Sequence, residues 1–158
     1  MTYMQRLIEI DAVSDANSGA TMLPRSPLLL IIEDDERTAH WLQPICDFLE
    51  IGVERIASER DVTDALHEHR PMAVVAQMDC QGQDGCHVMM TVAQYDRSLP
   101  ILLIVGPDPA LAGAADAVEE LWQLESVTKL PGYPGVGAIV DFVFHAGRKG
   151  RCIRLMPI

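Results

Sequence analysis

The chain has 158 residues, 49% hydrophobic and 22% charged, which suits one globular domain with a proper core and excludes a disordered chain. Its formal net charge of −11 at pH 7 argues against nucleic acid as a direct partner, because phosphate binding needs clustered Lys and Arg. No stretch has the form of a secretory signal or a membrane span, and Cys46, Cys80, Cys86 and Cys152 lack metal or redox spacing, so free thiols in a reducing cytoplasm are expected.

Residues 1–26 read as an N-terminal extension. Met4, Leu7, Ile8 and Ile10 give a short helical stripe, and Ser14 to Gly19 read as linker. So short a helix is marginal unless it docks: the segment is expected to be a frayed extension, or else an arm packed on its own domain or on a second copy. The domain proper spans residues 27–148 and opens on Leu28-Leu29-Leu30-Ile31-Ile32, which stops in Glu33-Asp34-Asp35. An unbroken apolar run ending in acids predicts a central parallel strand whose carboxyl end opens into a ligand crevice.

Glu36 to Glu50 carries a helical pattern through Ala39, Leu42, Ile45, Cys46 and Leu49, with Pro44 expected to kink or shorten it. Val53 to Ala57 predicts a short edge strand. Ser58 is the expected cap of the next helix, with Asp61 in its first turn. His67 and His69, two apart, point in different directions and read as surface residues.

Met72 to Gln77 and Ile101 to Val105 are two more buried strands, each followed by a helix, from Cys86 to Tyr95 and from Asp108 to Trp122. Asp108 suits the cap of the second and Pro109 its first position. Asp79, Cys80, Cys86 and His87 crowd the loop before the first, but paired metal-ligand spacings are missing. A last strand around Ser126 to Lys129 and a helix through Val136, Ile139, Val140, Phe142 and Val143 complete the pattern. Residues 149–158 are a short basic tail; Arg148, Lys149, Arg151 and Arg154 read as a solvated helix end, favourably placed at the negative pole of the macrodipole. Strand and helix alternate five times, which predicts a single α/β domain, a (βα)5 doubly wound parallel sheet with right-handed crossovers.

Five features in this order resemble the receiver domain of bacterial response regulators. They are Glu33-Asp34-Asp35, the Pro71-to-Gln77 strand, Asp84-Gly85 after it, Leu99-Pro100-Ile101, and Thr128-Lys129. The resemblance covers roughly Pro27 to Arg148 and implies the flavodoxin-like, CheY-like strand order 2-1-3-4-5. It also implies phosphoryl transfer to an aspartate. In the family an acid pair holds magnesium, a third-strand aspartate is the nucleophile, a fourth-strand Thr or Ser bonds the phosphate, and a fifth-strand lysine pairs with it.

Carried over by position, Glu33 and Asp34 fall on the acid pair and Lys129 on the lysine, where it is expected to neutralise them. Gln77 falls on the phosphoacceptor, and an amide has no anionic oxygen with which to attack phosphorus. Val105 falls on the Thr or Ser position and cannot donate a hydrogen bond. Ser126 falls where many members carry a switching aromatic residue. The family's Lys-Pro is here Lys129-Leu130-Pro131, displaced by one residue, which puts the family's cis peptide in question.

These departures imply a degenerate pocket of Glu33, Asp34, Gln77, Val105 and Lys129, in a pseudo-receiver that is not an enzyme. Any magnesium would sit on Glu33 and Asp34, with affinity lowered by the loss of the acceptor's charge; no resident cofactor is expected. Only Gly147 to Ile158 follow the last helix, too few for an output module. A stand-alone protein of this kind is expected to act by contact in bacterial signal transduction, on a histidine kinase or another regulator or as a homodimer, independently of phosphorylation. Leu121 and Trp122, with Ser126, are the interface candidates on the family's usual docking face. Two other readings stay open: Asp79 as a shifted phosphoacceptor, about 7 Å beyond the usual position, and a small-molecule sensor whose ligand fills the space between Gln77, Val105 and Lys129.

Overall fold

The computed structural model describes residues 24–33, 35–57, 61–78, 85–133 and 135–152. The expected N-terminal stripe, Asp34, Ser58, Asp79 and Cys80 lie outside the described residues. Strands and helices alternate as β1 (Ser26–Ile32), α1 (Arg37–Leu49), β2 (Gly52–Ile56), α2 (Val62–His69), β3 (Pro71–Gln77), α3 (Gly85–Tyr95), β4 (Ile101–Ile104), α4 (Pro109–Leu121), β5 (Val127–Leu130) and α5 (Val136–Gly150). All five strands are parallel, in the expected order 2-1-3-4-5.

The apolar runs of β1 and β3 are explained by what covers them. Leu30, Ile32, Val74, Ala76 and Leu103 turn to one layer, where they pack with α2, α3 and α4 through Leu66, Met89, Val92 and Ala115. Leu29, Ile31, Ala73, Val75 and Leu102 turn to the other, against Leu42 and Cys46 of α1 and Ile139 and Val143 of α5. Both faces are dry, so alternation of polar and apolar residues is not tolerated in the middle of the sheet. Each fully buried aliphatic side chain contributes roughly 1.5–3 kcal/mol. Burial in this second layer also pushes the Cys46 thiol up to about 11, which keeps it protonated and inert at neutral pH.

Helix starts follow local chemistry. Asp108 accepts from the Ala110 N–H at 2.9 Å, and Pro109 takes the first position of α4, as expected. The cap of α2 is Asp61, which accepts from Thr63 and Asp64, so Asp61 stands one step outside the helix rather than in its first turn. The helix containing Pro44 runs from Arg37 to Leu49 as one element, so the proline does not end it.

Two glycines are required by geometry. A Cβ on Gly85 would come within 2.8 Å of the Met78 Cα, so only glycine lets α3 begin that close to the end of β3. Gly106 turns the chain out of β4 at φ 75°, in the left-handed region. At the opposite edge of the sheet Arg25 fastens the entry of the chain. Its N–H donates to the Gly150 carbonyl at 2.8 Å, and its guanidinium bonds Asp96 at 2.9 Å and Ser98 at 3.0 Å. Among the described residues no helix is long and apolar enough to cross a membrane.

Candidate functional site

The carboxyl edge of β1 and β3 brings together Glu33, Gln77, Thr38, Tyr133 and Trp41. Glu33 is 1% exposed, and both of its carboxylate oxygens accept from the start of α1: the Thr38 N–H at 2.9 Å and the Ala39 N–H at 3.0 Å. These charge-assisted bonds satisfy two amides that a helix start leaves orphaned, in the positive end of the helix dipole. Arg55 reaches over from β2 and donates to the Glu33 and Asp35 carbonyls at 3.0 and 3.1 Å. Asp35 pairs outside with Arg37, whose backbone N–H and guanidinium hold its carboxyl below the usual carboxylate range. Glu33 and Asp35 therefore serve the start of α1.

Gln77, at the last position of β3, is closed in by hydroxyl groups. Its Nε2 donates to the Thr38 Oγ1 at 3.1 Å and to the Tyr133 Oη at 3.0 Å. Those two oxygens are 3.1 Å from each other, so amide and hydroxyls form a three-membered ring of contacts. The Tyr133 ring lies edge-on to Trp41, with centroids 4.6 Å apart. This ring contains no ionised group; it can bond neutral polar atoms but supplies neither a nucleophilic oxygen anion nor a charge for a metal.

Lys129 is elsewhere. Strand register explains its position: Gln77 pairs with Ile104 and Ile104 with Leu130, so these three form one row facing the α1 and α5 layer, where Leu130 packs. Lys129 is the neighbour of Leu130 and turns to the opposite face. There its ammonium is bonded by Glu119 and, at 3.1 Å, by Asp116, both on α4. The expected pairing of Lys129 with Glu33 is replaced by this pair. Partial burial pulls the lysine pKa down, but hydrogen bonds and charge from Glu119 and Asp116 more than offset it and hold the pKa above the usual lysine value. Val105 is also on that side, 6% exposed within the α2, α3 and α4 core, with its N–H on the Leu130 carbonyl at 2.8 Å.

The five residues predicted to form one pocket are thus divided. Glu33 and Gln77 stand on the α1 side, Val105 and Lys129 on the α4 side, and Asp34 lies outside the described residues. The side chain of Gln77 bonds Thr38 and Tyr133 on the α1 side, whereas Lys129 bonds Asp116 and Glu119 of α4. The described residues do not fit a resident magnesium ion: the Glu33 oxygens are turned to backbone amides and Gln77 directs its nitrogen to hydroxyls. Of the interface candidates, Leu121 is 77% exposed at the end of α4. Trp122 is half-buried against the core, and the Ser126 carbonyl accepts from Ile101 at the start of β4.

A family model described as flagellar regulatory protein FleQ matches residues 28–130. No curated protein matches the chain. Among solved structures, the signal receiver domain of a signal transduction histidine kinase from Syntrophus aciditrophicus is 17% identical at a TM-score of 0.63, with 83% of this chain and 96% of that one covered. Chemotaxis protein CheY4 of Vibrio cholerae is 13% identical at 0.61, with 77% and 98% covered. A two-component response regulator from Clostridium difficile is 12% identical at 0.61, with 77% and 95% covered. At these identities the likeness shows the fold, which is the receiver fold.

Proposed function

We propose that this chain, which belongs to the family of the flagellar regulatory protein FleQ, is a pseudo-receiver: a signalling module that acts by protein contact and independently of phosphorylation. The observation that carries this reading is the ring at Gln77. Where the resemblance puts a nucleophilic carboxylate, an amide is held by Thr38 and Tyr133, and the lysine that would neutralise a phosphoryl group is bound to α4 on the other face. Phosphoryl transfer needs a nucleophilic oxygen and neutralising charge at one point, and at Gln77 an amide stands in place of the first while Lys129 is held by α4.

The match to a model described as a flagellar regulatory protein supports a role in flagellar regulation. The partner is a signalling protein such as a histidine kinase or another regulator, or a second copy of the chain, met in the cytoplasm. The docking face is that of α4, β5 and α5, where Leu121 offers an exposed apolar side chain. The protein is itself no enzyme, and its output is the partner's.

Incubation with acetyl phosphate and magnesium, followed by intact mass measurement, tests the reading. The unmodified mass is expected. A phosphoryl adduct overturns it, and loss of that adduct in Asp79→Asn would move the acceptor to Asp79.

A further inference from the structure

The helices on the α1 and α5 layer do not close over each other. Between them runs a groove of about 350 Å³ walled by Pro44, Ile45 and Phe48 of α1 and by Val136, Val140 and Phe144 of α5. Phe48 is 85% exposed and Val136 63% exposed, and the lining is apolar throughout. Contiguous exposed apolar surface of this kind marks a place where something docks.

The chain carries a fitting occupant close by. Residues 1–23 precede the described domain, and their apolar residues Met4, Leu7 and Ile8 have the i, i+3, i+4 spacing that fills a helical groove, with Ile10 following. The described chain begins beside α5 itself, since the Arg25 N–H is bonded to the Gly150 carbonyl and the Arg25 side chain lies against Gly150. Phe144 is about 9 Å along the helix axis from Gly150, and Val136 about 21 Å. Residues 11–23 can span at most about 45 Å, so the stripe reaches the whole groove. A tethered segment faces its site at an effective concentration near millimolar, far above that of a second copy at ordinary protein concentrations.

We infer that the α1/α5 groove is the docking site of the chain's own N-terminal segment, with Met4, Leu7 and Ile8 seated against Phe48, Val140 and Phe144. Seated there, the arm would cover the exposed apolar side chains of Phe48 and Val136. This inference is independent of how the Gln77 site works.

A photo-crosslinking benzoylphenylalanine introduced in place of Phe48 in the full chain tests it, using an equal mixture of isotopically light and heavy protein. Crosslinks to the peptide holding residues 1–13, confined to light–light and heavy–heavy products, are expected. Mixed light–heavy crosslinks would assign the groove to a second copy, and crosslinks elsewhere or none at all would leave it without its arm; each overturns the inference. As a second readout, Leu7→Asp combined with Ile8→Asp should raise the fluorescence of anilinonaphthalene sulfonate severalfold with circular dichroism unchanged. Equal fluorescence with and without the pair of substitutions contradicts it.

Discussion

The two sides of the sheet at its carboxyl edge solve opposite electrostatic problems. On the α1 side, one buried carboxylate is bound by backbone amides, and next to it an amide and two hydroxyls form a neutral ring. On the α4 side, an ammonium is bound by two carboxylates. A working receiver site, as the resemblance describes it, needs these charges to meet at one point. Here each side is locally complete, and the sheet stands between them. Neighbouring positions on a strand face opposite sides of the sheet, so the face that Lys129 takes decides which carboxylates it meets: those of α4 and not Glu33.

The α1 side carries the heavier cost of mutation. Glu33→Ala removes the buried acceptor of two helix-start amides and should cost about 3 kcal/mol of stability, measured by urea unfolding. A loss below about 0.5 kcal/mol would show that the amides find other partners.

Tyr133→Phe keeps the ring against Trp41 and removes only the hydroxyl. Roughly 1 kcal/mol is expected, and a double-mutant cycle with Thr38→Val should reveal coupling, because the two hydroxyls and the Gln77 amide share their bonds. Additivity within error would mean that the three groups do not act as a unit.

The smallest effect belongs to the α4 side. Lys129→Met removes an ion pair that is only partly buried, so about 1 kcal/mol or less should be lost. Its pH dependence has a definite sign. The folded pKa lies above the usual lysine value, so the contribution is fully present below that value and disappears as pH rises through the folded pKa. A wild-type advantage over Lys129→Met that persists above the folded pKa would rule out the ion pair as its source.

Much of the fold could be read from the residues, because the signals are local or periodic. Leu28 to Ile32 announced a strand covered on both faces, and Asp108-Pro109 marked the start of α4. Asp61 shows the limit of such reading: several polar residues precede α2, and their local pattern does not single out the one that caps. The amide at position 77 was equally visible, since a substitution is a property of the sequence. Its partners were not. Thr38 lies 39 residues from Gln77 and Tyr133 lies 56 residues away, and no spacing rule links them. Tyr133 was still signalled weakly, as the one aromatic in the segment Pro131-Gly132-Tyr133-Pro134-Gly135. The side taken by Lys129 was also written in the chain: Lys129-Leu130-Pro131 puts a leucine next to the proline, and side chains alternate along a strand.

If two separate losses disable the pocket, restoring one of them leaves it inactive. Gln77→Asp supplies the missing carboxylate and leaves Lys129 with Asp116 and Glu119. After incubation with acetyl phosphate and magnesium, its intact mass should show no phosphoryl adduct. An adduct on residue 77 would contradict the account, because it would mean that the charge needed for transfer is already within reach.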